Sequence, residues 1–198
     1  ATQWDGLYHQ DGIYVLASLG TATKLVFGQQ PTSRAAGSSI SPAITVQIQD
    51  AGGNLVSSDT RNVTLAIGTN PGGGTLSGTV SVAAVAGVAT FNNLSINKTG
   101  TGYTLATTSS PTLTGASSTA FNITAGAATK LGFLQQPTNA AAGSSISPAI
   151  TVQIQDANSN LVTSDTRNVT LAIGTNPGGG VLSGTVSVAA VAGVATFN

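Results

Sequence analysis

The sequence predicts an all-β chain, and three observations support this class. Apolar and polar residues alternate with a period of two, turn-forming residues separate the alternating runs, and Thr, Val and Ile favour strands over helices. Gly is abundant, with 25 of 198 residues, and clusters between the runs where turns are expected. We therefore expect short strands joined by tight turns.

The segment 1–21 is unlike the rest of the chain. Residues Gly12 to Leu19 alternate as a strand does, and aromatic residues are concentrated around them. One face of this strand would carry Ile13, Val15, Ala17 and Leu19. Two interpretations stay open: the segment is the last strand of a preceding, different domain, or it is an attachment and assembly segment.

An internal repeat dominates the remainder of the chain. Residues 22–92 align without a gap to residues 128–198 at an offset of 106, and 63 of the 71 positions are identical. The repeat predicts two copies of one domain, at 22–127 and 128–198. The second copy ends at the counterpart of Asn92, so it is incomplete. The short linker at 125–128 predicts two domains placed end to end with little bending.

Each copy alternates strongly enough to predict individual strands. Ile44, Val46 and Ile48, for example, alternate with Thr and Gln residues. The predicted strands of the first copy are 24–29, 44–49, 62–67, 79–85, 88–96, 103–108 and 117–124. Seven short strands in about 100 residues is the number typical of an immunoglobulin-like β-sandwich with Greek-key connections.

Four stretches of the first copy resemble the bacterial immunoglobulin-like repeats that occur in tandem in adhesins and in invasin- and intimin-type surface proteins. The stretches are Val46 to Val56, Gly74 to Gly78, Gly87 to Phe91 and Gly100 to Leu105. The resemblance covers residues 22–198. It implies a sandwich fold in a secreted, cell-surface protein, and it implies little about a ligand, because such domains mostly act as spacers.

Two related loops offer oxygen atoms close together in sequence. The weak calcium candidates are Asp50 and Asn54 in the first copy and Asp156, Asn158 and Asn160 in the second. Calcium takes six to eight oxygen ligands, usually with several carboxylates, whereas each loop supplies one Asp. We therefore favour Asx-type turns over metal sites, and we expect folding to be independent of calcium.

Two further features of the repeat predict structural roles. Tyr103 follows a Gly-rich turn and is predicted to open a strand, as in a tyrosine corner, whose hydroxyl bonds to nearby backbone. Asp59 and Arg61 recur as Asp165 and Arg167, and each pair is predicted to be exposed beside a strand.

The charged residues are few and balanced, with six Lys and Arg against six acidic residues, all of them Asp. This balance leaves no basic face for nucleic acid or anionic lipid. The chain has no Cys and no Met, and His9 is its one His, so no thiolate or repeated His site is predicted. No apolar run approaches the roughly 20 residues of a membrane helix. We expect no catalytic residues, no cofactor, no membrane insertion and no enzyme activity.

These observations favour a structural or spacer repeat of an extracellular bacterial surface protein or fibre, with or without an adhesive role. The expected partners are further copies of the repeat and neighbouring subunits in a filament. One alternative is a carbohydrate-binding module of an exported enzyme. It is disfavoured because Phe27, Phe91, Tyr103 and Phe121 are predicted to point inward, which leaves no platform for sugar stacking. The other alternative is an immunoglobulin-like decoration of a phage particle.

The incomplete second copy predicts an exposed apolar groove and an unpaired sheet edge. Either the sequence is part of a longer chain, or another segment supplies the missing strand. Residues Gly12 to Leu19 have the required alternation, and their addition to a neighbouring subunit would join chains head to tail.

Overall fold

The fold is that of a computed structural model of the chain, which describes residues 4–7, 15–18 and 20–198. Every regular element among these residues is a β-strand, which confirms the all-β class. The described part of the chain holds no helix of the length and apolarity needed to cross a membrane. Two compact units are present, Ala1–Thr124 and Ala125–Asn198, which we call unit 1 and unit 2.

The strands of unit 1 are short, because turn residues interrupt the alternation every few positions. They are β1 (Trp4–Leu7), β2 (Val15–Ser18), β3 (Lys24–Gln29), β4 (Arg34–Ala35), β5 (Ile44–Gln49), β6 (Asn62–Ile67), β7 (Leu76–Ser77), β8 (Ser81–Ala83), β9 (Val88–Phe91), β10 (Ser95–Ile96), β11 (Gly100–Tyr103), β12 (Leu105–Ser110) and β13 (Phe121–Thr124).

The N-terminal strands form an antiparallel pair, in which β1 and β2 run in register from Trp4 opposite Ser18 to Leu7 opposite Val15. The strand predicted at Gly12 to Leu19 therefore includes the observed strand β2. Of the four residues assigned to its assembly face, Val15 and Ala17 lie in β2, while Ile13 and Leu19 lie outside the described residues. The assembly role of this segment stays a prediction.

Two three-stranded antiparallel sheets build the body of unit 1. Strand β5 lies between β3 and β9 in one sheet, and β6 lies between β12 and β8 in the other. In β5, Ile44, Val46 and Ile48 are fully buried, whereas the residues between them are half-buried. This contrast arises because successive side chains of a strand point to opposite faces.

Smaller pairings close unit 1. Strand β13 pairs in parallel with β4 and antiparallel with β11, and β10 pairs with β7. The chain thus changes sheets between β3 and β4, and sequence-distant strands become neighbours. Side chains from these strands share one hydrophobic core, in which Leu25, Phe91, Ile96, Tyr103 and Leu105 are at most 2% exposed. Sheets around a common core form the sandwich that the sequence predicted.

Four predicted strands are shorter or divided in the structure. The strand predicted at 88–96 splits into β9 and β10, because Asn92 and Asn93 are both exposed and break the alternation. The strand predicted at 79–85 shrinks to β8, and that at 117–124 shrinks to β13. Tyr103 ends β11 instead of opening a strand, because the Gly-rich segment before it pairs with β13.

Unit 2 repeats the first part of unit 1. Its strands are β14 (Ala128–Gln135), β15 (Ile150–Asp156), β16 (Asn168–Thr170), β17 (Ser187–Ala189) and β18 (Val194–Phe197). Strand β15 lies between β14 and β18, and β16 pairs with β17. Ile150 lies opposite Phe197 as Ile44 lies opposite Phe91, so the register is reproduced at the offset of 106. A smaller core contains Val152, Ile154 and Ala195.

Candidate functional site

The turn after β5 holds the first pair of calcium candidates, Asp50 and Asn54. The buried Asp50 carboxylate accepts hydrogen bonds from the Asn54 backbone N–H at 2.8 Å and from the Asn54 side-chain amide at 3.1 and 3.3 Å. The side chain and then the backbone of Asn54 lower the pKa of the Asp50 carboxyl, against the opposing effect of burial. The carboxylate thus accepts N–H groups, as in an Asx-type turn.

The corresponding turn of unit 2 surrounds Asp156 with more donors. Asp156 is 1% exposed and accepts backbone N–H bonds from Gly126 at 2.9 Å, Asn158 at 2.9 Å and Asn160 at 2.8 Å. The Asn160 side-chain amide nitrogen adds contacts at 2.9 and 3.2 Å. Burial alone raises the pKa of Asp156, but the hydrogen bonds from Asn160, Gly126 and Asn158 outweigh it, so the pKa is lowered.

The two turns bring their predicted residues together through N–H donors that converge on a carboxylate. Among residues 4–7, 15–18 and 20–198, no group of three or more His, Cys, Asp or Glu side chains could hold a metal ion. Calcium-independent folding stays a prediction.

Sequence reasoning missed a glycine that belongs to each turn. Gly126 donates its N–H to Asp156, and Gly20 lies at the equivalent position 106 residues earlier. A Cβ added to Gly20 would lie 2.4 Å from Oδ2 of Asp50, so this position needs a residue without a side chain. The signal was present in the sequence, because both glycines precede by two residues the start that the alignment gave to each copy.

Tyr103 connects two loops of unit 1. It is fully buried, its hydroxyl donates a hydrogen bond of 3.0 Å to the Lys98 carbonyl, and its ring centroid lies 6.1 Å from that of Phe121. The hydroxyl also lies close to the backbone of Gly72 and Gly74, where an added Cβ would be 2.5 and 2.9 Å from the oxygen. The side chain therefore fixes the loop before β11 against the Gly-rich loop before β7.

The ion pair of Asp59 and Arg61 is largely buried, which corrects the prediction of an exposed pair. The Arg61 side chain is 16% exposed, whereas its counterpart Arg167 is 61% exposed. The difference arises because Arg61 also donates to the Pro111 carbonyl at 3.0 Å, in a segment that covers it. Hydrogen bonding by Arg61 lowers the pKa of Asp59.

The aromatic side chains of the first copy point inward, as expected. Phe27, Phe91, Tyr103 and Phe121 are at most 8% exposed. In unit 2 the counterpart of Phe27 is Phe133, which is 49% exposed. The aromatic exposure of the repeat is therefore found where the second copy is incomplete.

An apolar opening in unit 2 is the remaining candidate site. A cleft of about 590 Å³ lies between segments 138–146 and 181–186, and a smaller cleft of about 230 Å³ lies beside β14. We call the two clefts together the open face. It is lined by Leu131, Phe133, Ile146, Ile150, Leu171 and Phe197.

Comparison with known proteins returned two solved structures of low similarity. No protein-family model matches the sequence, and no curated protein matches it. The chain is similar to FdeC, an adhesin of Escherichia coli, with 17% identity and a TM-score of 0.45 over 80% of this chain. It spans 51% of the FdeC chain. It is also similar to domains 5-6 of the S-layer protein SbsC, with 19% identity and a TM-score of 0.38 over 90% of this chain and 85% of that chain.

Proposed function

We propose that this chain is a structural spacer repeat of an extracellular bacterial surface protein or fibre, and that it is not an enzyme. The proposed setting is that of an adhesin or an S-layer protein, the two kinds of protein named above. Its expected partners are further copies of the same repeat.

The observation that carries the proposal is the reproduction of one strand framework at a constant offset. Lys24 pairs with Gln49 as Lys130 pairs with Gln155, and Asn62 pairs with Ala83 as Asn168 pairs with Ala189. Conserving both the sequence and the register of a framework lengthens a protein without new packing solutions, which is what a spacer requires.

The buried polar groups of unit 1 support the same role, because they bond to nearby backbone. The Ser118 hydroxyl accepts the Leu105 N–H at 2.9 Å, and the Thr107 hydroxyl accepts the Ala116 N–H at 2.7 Å. Like the Asp50 carboxylate, these side chains hold connections between strands. A spacer needs such bonds because its loops must keep their shape.

Single-molecule force spectroscopy tests the spacer role. Stretching the 198-residue chain from its two ends is expected to unfold unit 1 in one step, with a length gain of roughly 350 Å at ~3.5 Å per residue. Gradual lengthening without a step would contradict a load-bearing domain. Saturable turnover of a glycan or peptide by the same purified chain, abolished by a single substitution, would contradict the absence of enzyme activity.

The cellular setting needs a separate measurement. Antibodies raised against the chain are expected to label intact cells of the source organism as strongly as permeabilised cells. Labelling that requires permeabilisation would overturn the surface location and leave the mechanical result unaffected.

A further inference from the structure

The open face of unit 2 consists of residues that are buried in unit 1. Leu25 is 2% exposed, whereas its counterpart Leu131 is 54% exposed, and Phe27 is 8% exposed against 49% for Phe133. The side chains are identical in the two copies, so the difference comes from what covers them. Exposed apolar patches of this kind mark sites where another segment packs.

In unit 1 the cover is the segment Asn93–Thr124, which contains β10 to β13. Strand β12 pairs along the whole of β6, from Leu105 opposite Ile67 to Ser110 opposite Asn62. Backbone bonds add further contacts, since Leu25 N–H donates to Thr114 O at 2.9 Å and Ile40 N–H donates to Leu94 O at 2.7 Å. The segment therefore satisfies both the apolar surface and the backbone groups of the face beneath it.

Strands that depend on this cover are absent from unit 2, all of whose residues are described. The counterparts of β4 and β7 would lie at 140–141 and 182–183, and neither position forms a strand. Both segments border the larger cleft. In unit 1, β4 pairs with β13 and β7 pairs with β10. The cleft in unit 2 thus lies where these two partners are seated in unit 1.

Three glycines keep room for the same segment. An added Cβ at Gly72 would lie 2.0 Å from the Thr99 carbonyl oxygen, and one at Gly78 would lie 2.4 Å from the Asn93 carbonyl oxygen. Their counterparts, Gly178 and Gly184, have no atom within 4 Å of the same point. The second copy therefore retains glycines whose space is empty in unit 2 and is occupied by the segment in unit 1.

We propose that the open face is a docking site for an extended segment with the sequence of Asn93–Thr124. The segment would add its strands to the free edge of β16 and to segments 140–141 and 182–183, with the pairings seen in unit 1. Its apolar side chains would cover the residues that line the open face. This is recognition by strand addition, in which backbone bonds give affinity and alternate side chains give specificity.

Fluorescence anisotropy with a labelled synthetic peptide of residues 93–124 tests the proposal on the 198-residue chain. We expect saturable binding of one peptide per chain, because unit 1 already holds its own copy of the segment. A peptide with Tyr103→Ser and Leu105→Ser is the matched control, and it should bind at least ~10-fold more weakly, since it loses its two fully buried anchors.

The substitution Gly178→Ala locates the site. The added Cβ meets no atom of unit 2, so the unit keeps its fold, but it would collide with backbone of the docked segment. We expect at least ~10-fold weaker binding of the peptide. Gly179→Asn is the control, because position 179 and its counterpart Gly73 both face open space, and Asn tolerates their positive φ of 63° and 61°.

Each outcome decides the proposal. Binding that is lost in Gly178→Ala and kept in Gly179→Asn supports it. Binding that is equal in both variants, or no saturable binding, overturns it. Self-association of the chain through the open face, seen as a concentration-dependent mass without peptide binding, would also overturn it and would identify a second copy of unit 2 as the occupant.

Discussion

At the scale of single residues, two buried carboxylates shape the turns that follow the central strands. Asp50 and Asp156 each end or follow a strand that lies between two others. An ionised carboxylate accepts several N–H bonds at once, which makes it a better organiser of a tight turn than a hydroxyl or an amide. The same geometry places Gly20 and Gly126 against the carboxylates, so the turn also fixes the chain that enters each unit.

The pKa of Asp50 makes the stability of unit 1 dependent on acid. Because the folded state lowers this pKa, the ionised carboxylate contributes stability above the unfolded pKa of about 4, and the contribution is lost as the pH falls through the lower folded pKa. We expect Asp50→Asn to lower the melting temperature at pH 7 and to reduce the loss of stability below about pH 4. Thermal unfolding from pH 2 to pH 7 measures this.

The exposed substitution Ser58→Ala serves as the control and should leave the pH profile unchanged. A profile for Asp50→Asn that runs parallel to that of the unaltered chain would show that Asp50 does not cause the acid sensitivity.

Tyr103→Phe should destabilise unit 1 by about 1–2 kcal/mol, because it removes the hydroxyl and leaves the buried Lys98 carbonyl without this donor. Urea unfolding followed by the NMR signals of β5 measures the change, and the slope with urea should stay constant. A midpoint equal to that of the unaltered chain would mean that the hydroxyl contributes no net stability.

At the scale of strands, the alternation of apolar residues was sufficient to predict β3, β5 and β6 with their bounds. It was not sufficient for β11, because Gly and Thr at 100–102 have turn propensity and become a strand only through pairing with β13. Pairing between distant segments is not encoded in local propensity. The same reason explains why the split between β9 and β10 was missed, although Asn92 and Asn93 broke the pattern.

The two copies allow one substitution to be compared in two environments. Leu65 is 2% exposed, while its counterpart Leu171 is half-buried. We expect Leu65→Ala to destabilise unit 1 by about 2–5 kcal/mol, because it leaves a cavity in a closed core. Leu171→Ala should destabilise unit 2 by less. Urea midpoints from NMR signals of each unit measure both values, and equal losses would contradict the difference in packing.

At the scale of the whole molecule, the sequence predicted the repeat, the all-β class and the incomplete second copy. The residues of the Asp turns were predicted as well, since their donors lie within four positions of the carboxylate. The burial of Arg61 was not predicted, because its partner Pro111 lies 50 positions away. Exposure depends on the covering segment, so identical residues such as Phe27 and Phe133 have different surroundings.

The central claim is that unit 2 is the same framework as unit 1 without its covering segment. NMR-detected hydrogen exchange tests it directly, because Ile44–Gln49 and residues 150–155 have the same sequence and hence the same intrinsic exchange rates. We expect the amides of Ile44–Gln49 to exchange at least ~10-fold more slowly, since they belong to the larger closed core. Equal exchange rates in the two segments would contradict the claim.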